Sequence, residues 1–553
     1  MAAAANPIAT EAGREILRAG GSALDAAIAM QLVLTLVEPQ SSGIGGGAFV
    51  LHWDGRRVQS FDGRESAPKG VDENLFVTPQ GRAMGFAEAV VGGRAVGVPG
   101  ALRVLEMAHR QHGRLPWARL FERAIKLAES GFALSPRLHT ALAAEKNLSR
   151  NEAARAHYYN ADGSPKPVGT LLANPELAGT LRAIAQGGAD AFYRGAIAND
   201  IVAAVRGHAT NPGRMTESDI ASYQAKERAP LCTDFKQWRV CGMGPPSSGG
   251  IAVAQMLGLF SARDIAAVPP VMVDGKLEPQ PAAAHLFSEA GRLVFADRAQ
   301  HVADSDFVSV DIAGLTSPAY LNERAKLITD RGMGRAPPGQ PQGKTTWAPD
   351  ESEHRYATSH ISVVDSYGNA ISMTTSIEDL FGARLMVRGF MLNNQLTDFS
   401  FLPRESDGTG VPRAGGALIA NRVQPGKRPR SSMAPTLVFD RAGGQLVATL
   451  GSPGGSQIIN YVGKTLMGLL QWNLDVQQAI SLPNFGSRNG PTEVEEGQVS
   501  AALIEGLKAR GHEVRVVPMT SGLQGIVRTR LPDGRAGWAG GADPRREGIA
   551  VGD

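Results

Sequence analysis

Apolar positions follow a helical period at the start of the chain and give way to strand-like runs in its last third. Ala12, Ile16, Leu17 and Ala19 fall near helical spacing, and Gly20-Gly21 interrupts them. The pattern predicts helix through the first 40 residues. A second helix is predicted from Ser22 towards Val37, with Ser22 and Asp25 fitting a capping-box variant. The apolar run at 26–37 includes Gln31 and Thr35. It is shorter than the roughly 18 residues a membrane span needs, so it predicts a buried helix. Gly43-Ile44-Gly45-Gly46-Gly47 then leads into a short strand at 48–52. A dinucleotide fingerprint follows a strand and opens a helix, whereas this cluster precedes a strand, so close backbone packing is its expected role.

The middle of the chain, 101–261, mixes helical stretches such as 117–128 with turns. The stretch 332–353 is rich in Pro, Gly, Gln and Thr and has little apolar surface to bury, which predicts a flexible linker reaching to residue 357. β-type runs follow at 361–365 and 370–375. Ser366-Tyr367-Gly368 suits a three-residue hairpin loop with Gly368 left-handed. In that register Asp365 faces Asn369 and Thr358 faces Ser376, whereas a two-residue turn places Thr358 opposite Ile377. Both registers make Thr358 and Ser376 near neighbours. A second Gly- and Pro-rich stretch, 403–426, predicts a long loop.

Composition narrows the function classes. The chain has 553 residues, 43% hydrophobic and 20% charged, with a net charge of +3. The length alone allows three or four domains, although layered α/β proteins run longer as one unit. No basic block interleaved with aromatics points to nucleic acid. Met1 runs directly into Ala-Ala-Ala-Ala-Asn-Pro without a charged and apolar leader pattern, which fits a cytoplasmic protein or one whose leader has been removed. Cys232 and Cys241 would lie opposite each other if the chain turns tightly at Lys236-Gln237, either as a disulfide or as two buried thiols. Two cysteines cannot make a structural zinc site alone. His109 and His112 lie in an Arg-rich helical segment and do not suggest a metal. There is no Gly-x-Ser-x-Gly elbow, Walker loop or His-Glu-x-x-His.

Five polar motifs remain in the last third: Thr358-Ser359-His360, Ser376-Ile377-Glu378, Asn393-Asn394-Gln395-Leu396-Thr397-Asp398, Lys427-Arg428-Pro429-Arg430-Ser431-Ser432 and Gly451-Ser452-Pro453-Gly454-Gly455-Ser456. Each alone reads as a strand start or a turn. In this order they resemble the small subunit of the γ-glutamyltranspeptidase family, whose fold is that of the N-terminal-nucleophile hydrolases. The earlier segments Asp62-Gly63-Arg64-Glu65-Ser66-Ala67-Pro68, Pro245-Pro246-Ser247-Ser248-Gly249-Gly250 and Ala296-Asp297-Arg298 fit it too, so the resemblance covers nearly the whole chain.

The resemblance implies an α+β fold of four αββα layers and a precursor that cuts itself before Thr358. Residues 1–357 would form a large subunit, with 332–357 as the linker, and 358–553 a small one; the two stay associated in one αββα unit. A threonine hydroxyl needs a base beside it, and the freed α-amine supplies one, with an ordinary pKa of about 7.7–8.0. Ser376 takes the position of a hydroxyl neighbour. The backbone N–H groups of Gly454 and Gly455 would stabilise the oxyanion. Arg64, Ser431 and Ser432 match the positions that hold the α-carboxylate of a γ-glutamyl group, and Glu378, Gln395 and Asp398 those that hold its α-ammonium. Glutathione or a related γ-glutamyl compound is the implied donor, and water or the amine of an amino acid or peptide the acceptor. No metal or cofactor is implied, and relatives are often periplasmic or secreted. The 403–426 stretch is similar to a lid loop.

Two other readings follow from the same residues. Residues 381–390 and Arg430 also resemble the family's cephalosporin acylases, which release a glutaryl group. Glutaryl lacks the α-amine, which would leave Glu378 and Asp398 as two buried acids without a cation, so γ-glutamyl is preferred. The other reading is an unprocessed binding protein; its mark would be loss of the nucleophile or the glycines, and none is lost.

Overall fold

The computed structural model describes residues 1–553 except 342–345, 353–356, 407 and 532. Asn6 caps the first helix by accepting from the Ile8 N–H, and Pro7 occupies its first turn. That start excludes the preceding alanines, which form a strand instead. Helix through the first 40 residues is therefore corrected at 2–4, where sheet pairing overrides the helix propensity of alanine. The elements that position the site are β1 (Ala2–Ala4), α1 (Pro7–Arg18), α2 (Ala23–Val37), β2 (Gly47–Trp53), β3 (Val58–Gly63), β4 (Lys226–Arg228), β5 (Leu231–Phe235), β6 (Trp238–Gly242), α3 (Gly249–Ala262), β7 (Ala357–Val364), β8 (Ala370–Glu378), β9 (Thr436–Asp440), β10 (Leu446–Gly451), α4 (Ile458–Leu470), β11 (Gln524–Arg530), β12 (Ala536–Ala542) and β13 (Ile549–Val551).

The expected capping box is present at α2, where Ser22 and Asp25 satisfy each other's N–H groups, and the whole helix is buried. Strands make two large antiparallel sheets, one in the order β13-β1-β7-β8-β2-β3-β4 and the other β12-β11-β10-β9-β6-β5. Their inner faces meet through Leu51, Val364 and Ala370 on one side and Leu437, Phe439 and Ile526 on the other. The Ser372 hydroxyl donates to the Leu450 carbonyl across this interface at 2.9 Å, and Thr449 Oγ1 donates to the Ile371 carbonyl at 2.7 Å. Alternate residues point outward, as the strand period of two requires. Ala48, Val50, Ile361 and Met373 pack with α1 and α2. Val240, Val438 and Ala448 pack with α3 and α4.

Hairpin β7–β8 carries both anticipated registers. Asp365 N–H donates to Asn369 O, Gly368 has φ 88°, and the three-residue-loop register runs from Val364↔Ala370 to Ser359↔Thr375. It shifts between Ala357 and Ser359, so that Ala357 pairs with Glu378. The irregularity falls on Thr358. The glycine cluster packs closely, as expected: a Cβ on Gly46 would lie 2.1 Å from the Ser376 carbonyl oxygen.

β5 and β6 turn at Lys236-Gln237 and pair Cys232 with Cys241, which form a disulfide. Part of the expected linker, 342–345 and 353–356, lies outside the described residues. The rest of it contains no helix, yet its backbone is tied down by polar side chains of other segments: Met333 N–H donates to Glu289, Ala336 N–H to Asn489 and Gly339 N–H to Asp297. Composition registers the missing apolar surface but not these borrowed partners. The 403–426 stretch folds back on itself through isolated pairings of Arg404 with Leu418 and Ser406 with Pro412. Among the described residues no helix is long and apolar enough to cross a membrane.

Candidate active site

Thr358 is the second residue of β7 and is buried. Its Oγ1 lies 3.1 Å from Ser376 Oγ and touches the carbonyl oxygen of Ala357, the residue before it. Ser376 Oγ donates to that same Ala357 oxygen at 2.8 Å and accepts from the Glu378 N–H at 2.9 Å. Two hydroxyls thus converge on the peptide bond that joins Ala357 to Thr358. This follows from the register shift, which carries Thr358 out of the regular ladder while Ser376 stays in it.

One cleft is lined by Arg64, Thr358, Ser376, Glu378, Gln395, Asp398, Ser431, Ser432 and Gly455, together with Met433, Ser456 and Ile458. Nine of the ten residues singled out from the sequence therefore line it. The tenth, Gly454, adjoins Gly455 with φ 135°, and a Cβ there would strike the Tyr461 ring at 2.4 Å. Both the conformation and the space require glycine.

The recognition side is bound up internally. Arg64 donates to the Pro429 carbonyl through Nε at 3.0 Å and to the Arg430 carbonyl through Nη2 at 3.0 Å, and Nη2 also pairs with Asp398. Its Nη1 lies 3.8 Å from Glu65, whose carboxyl burial pushes up to about 8. Gln395 Nε2 donates to Asp398 Oδ2 at 2.9 Å, which turns its Oε1 into a buried position without a partner among the described residues. Asn394 and Thr397 donate to Glu378 Oε2. Burial, then the charges of Asp398 and Asp379, raise the Glu378 carboxyl well above its ordinary range. Glu378 also has φ 81°, a left-handed conformation unusual for a side chain of its kind.

These contacts change the argument made from the two acids. Asp398 already pairs with Arg64, and burial disfavours the charged form of Glu378, so an incoming group without an amine would not leave two free acids facing each other. That premise against a glutaryl substrate is corrected.

Arg298 belongs to the Ala296-Asp297-Arg298 motif, to which the resemblance assigns no role. It donates to Ser432 Oγ at 2.7 Å and to Ser248 Oγ at 2.8 Å, which brings a second arginine to the hydroxyl pair. Arg546 lies outside every motif of the sequence analysis; its Nη1 donates to the Thr358 carbonyl at 3.1 Å. No local pattern signals either contact, because each arginine is far from its partner along the chain.

The γ-glutamyltranspeptidase family model matches residues 9–553. The chain belongs to this family. It is similar to the glutathione hydrolase proenzyme of Bacillus subtilis (strain 168), 34% identical over 100% of this chain and 91% of the relative. The glutathione hydrolase proenzyme of Escherichia coli (strain K12) is likewise 34% identical, over 99% of this chain and 90% of the relative. Among solved structures, a cephalosporin acylase from Bacillus halodurans superposes with a TM-score of 0.81 at 26% identity, covering 99% of this chain and 94% of its own. The chain is thus an enzyme of the γ-glutamyltranspeptidase type, and its fold is that of the N-terminal-nucleophile hydrolases.

Sequence reading assigned this family member no metal ligands. Among the described residues, His285, Glu289 and His512 come close enough to share an ion. Their ring nitrogens are engaged without one: His285 Nε2 meets the Thr329 carbonyl at 2.7 Å, His285 Nδ1 meets His512 Nε2 at 2.7 Å, and His512 Nδ1 meets Thr492 Oγ1 at 2.8 Å. The Glu289 carboxylate is paired with Arg292 at 2.8 Å.

Proposed function

We propose that the chain cuts itself between Ala357 and Thr358 and then transfers the γ-glutamyl group of glutathione or a related amide to Thr358. Water or the amine of an amino acid or peptide releases it. The observation that carries this reading is the meeting of the Thr358 and Ser376 hydroxyls at the Ala357 carbonyl. Attack by Thr358 Oγ1 on that carbonyl converts the amide to an ester, and Ser376 donates to the oxygen that gains charge. That shift breaks the C–N bond and frees the Thr358 α-amine; water then hydrolyses the ester, releasing the Thr358 hydroxyl and the Ala357 carboxylate and leaving residues 1–357 and 358–553 associated as two subunits. The paired sheets with helices outside them support a four-layer αββα arrangement.

In the mature enzyme the α-amine takes the proton of the Thr358 hydroxyl and later gives it to the departing amine. The N–H groups of Gly454 and Gly455 receive the oxyanion. Ser431, Ser432 and Arg64 take the substrate's α-carboxylate, and Arg298 holds the Ser432 hydroxyl in place. Glu378, Gln395 and Asp398 take the α-ammonium. Gln395 Oε1 supports the γ-glutamyl choice, since an ammonium would give this buried oxygen the donor it lacks, and a glutaryl group would not. The disulfide supports a location in an oxidising compartment, periplasmic or extracellular.

A glutaryl-releasing acylase is the second reading, favoured by the internal Arg64–Asp398 pair, which needs no ammonium. Steady-state kinetics with γ-glutamyl and glutaryl anilides separate the two. A kcat/KM at least about 100-fold higher for the γ-glutamyl compound is expected from one charge-assisted hydrogen-bond set. Preference for the glutaryl compound would overturn the choice.

A further inference from the structure

Behind the nucleophile lies a cation with no carboxylate of its own. Among the described residues, Arg546 reaches the Thr358 carbonyl, Glu38 reaches the next residue, Ser359, and Glu378 pairs across the hairpin with Ala357; Arg137, Glu38 and Asp543 act on Arg546, and Arg545 and Glu547 flank it in the chain. Most are matched. Glu38 lies 3.3 Å from Arg137 and Asp543 lies 3.0 Å from Arg545, whereas Glu547 Oε1 accepts from the Arg137 main-chain N–H at 2.9 Å and its Oε2 is buried without a partner among the described residues. Burial disfavours the charged form of Glu378.

Arg546 differs. Among the described residues no carboxylate lies within 4.0 Å of it, and its printed partners are all carbonyl oxygens: Thr358 at 3.1 Å, Ser521 at 3.1 Å and Thr520 at 3.5 Å. Burial lowers its guanidinium to about 9, still a cation at neutral pH.

The same side chain packs on Gly522, whose other side meets the loop that leads to Gly454 and Gly455. A Cβ on Gly522 would lie 2.6 Å from Arg546 Cδ and 2.6 Å from Pro453 Cγ, so this glycine is sandwiched between the arginine and the residue just before Gly454. Gly522 N–H also donates to Ser452 Oγ at 3.3 Å. One guanidinium therefore ties the carbonyl of the nucleophile to the turn that backs Gly454 and Gly455.

We infer that Arg546 is a positioning residue for the N-terminal nucleophile: it fixes the Thr358 main chain against the oxyanion loop once the bond to Ala357 is cut, and its charge favours the neutral, proton-accepting form of the new α-amine. The inference rests on the reading of Thr358 as nucleophile. Cutting removes the covalent restraint on one side of Thr358, and the Arg546 bond to its carbonyl remains on the other. Bond lengths place the guanidinium nitrogen within about 7 Å of the Thr358 nitrogen. A unit charge at that distance disfavours an ammonium by about half to one and a half pH units, depending on the local dielectric. Glu38 and Asp543 oppose this effect but are paired with Arg137 and Arg545, and Glu547 opposes it without a paired cation among the described residues.

The test is the pH profile of kcat in Arg546→Gln and Arg546→Lys, with intact-mass confirmation that each chain has been cut before Thr358. The kcat profile is read because the bound ammonium keeps Glu378 ionised in the substrate complex, leaving the α-amine to set the acidic limb. In Arg546→Gln this limb is expected to move upward by about half to one and a half units. Arg546→Lys keeps the charge but loses the fork, and is expected to hold the wild-type limb with a several-fold lower kcat. An unmoved limb in Arg546→Gln, or an equal shift in both variants, would overturn the inference. A wild-type chain found uncut at Ala357–Thr358 would instead overturn the nucleophile reading on which it rests.

Discussion

At one end of the cleft, Thr358 and Ser376 sit on neighbouring strands of a single hairpin. At the other, Arg64, Gln395, Asp398, Ser431 and Ser432 come from three separate segments, mostly irregular, that are bound to one another. The reacting end is lightly bonded, and its hydroxyls have the preceding carbonyl as their shared partner. The recognition end is closed by an internal ion pair and shared carbonyls before any substrate arrives. Reaction needs a nucleophile free to change partners, whereas recognition needs cations and acids held in place while they wait. On the proposed function, a substrate exchanges into the Arg64–Asp398 pair rather than filling an empty site.

The largest way to break this comparison is at the ion pair. Asp398→Asn leaves the buried Arg64 without its charge partner and removes an acceptor for the ammonium. A loss of about 100- to 1000-fold in kcat/KM for a γ-glutamyl anilide is expected, with self-cleavage retained. A loss below tenfold would show that the pair is not part of recognition.

Ser376→Ala separates the ends in the opposite sense. It removes a donor to the Ala357 carbonyl, and donors of this type are worth about 100-fold or more. The half-time of self-cleavage, followed on gels, is expected to lengthen about 100-fold, while the chain remains folded. Cleavage at the wild-type rate would mean that the 2.8 Å contact does not act in the reaction.

Glu378→Gln gives a smaller, sharper effect. A carboxyl raised by burial becomes charged only as pH rises or as a cation binds, so KM for a γ-glutamyl substrate should fall with increasing pH in the wild type, until the substrate's own amine loses its proton. In Glu378→Gln that slope should disappear and KM rise by about tenfold or less, with no change for a glutaryl compound. An unchanged slope would assign the titration to another group.

Legibility in the sequence followed the same division. The hairpin could be read locally, because strand runs and a Gly-containing turn fix which residues face each other, and the two candidate registers both occur around Thr358. The buried α2 and its cap were likewise local signals. The recognition residues became visible only through their joint resemblance to a family, since Gln395 or Ser432 alone is an ordinary polar residue. Contacts joining distant segments escaped notice. Arg298 reaches Ser432, and Arg546 reaches Thr358, across separations that carry no periodic trace. Ala2–Ala4 misled for a related reason: three alanines favour helix until a distant strand offers them partners. In the Pro- and Gly-rich stretch before Thr358, composition could not register the hydrogen bonds lent by Glu289, Asp297 and Asn489.

The central claim is that Thr358 is the residue that cuts the chain and then carries the acyl group. N-terminal sequencing and intact mass of the purified wild type beside Thr358→Ala test it most directly. The wild type should yield a fragment that begins Thr-Ser-His-Ile-Ser, and Thr358→Ala should remain a single chain of 58.2 kDa without hydrolytic activity. Efficient cutting of Thr358→Ala, or a wild-type fragment beginning at any other residue, would contradict the account.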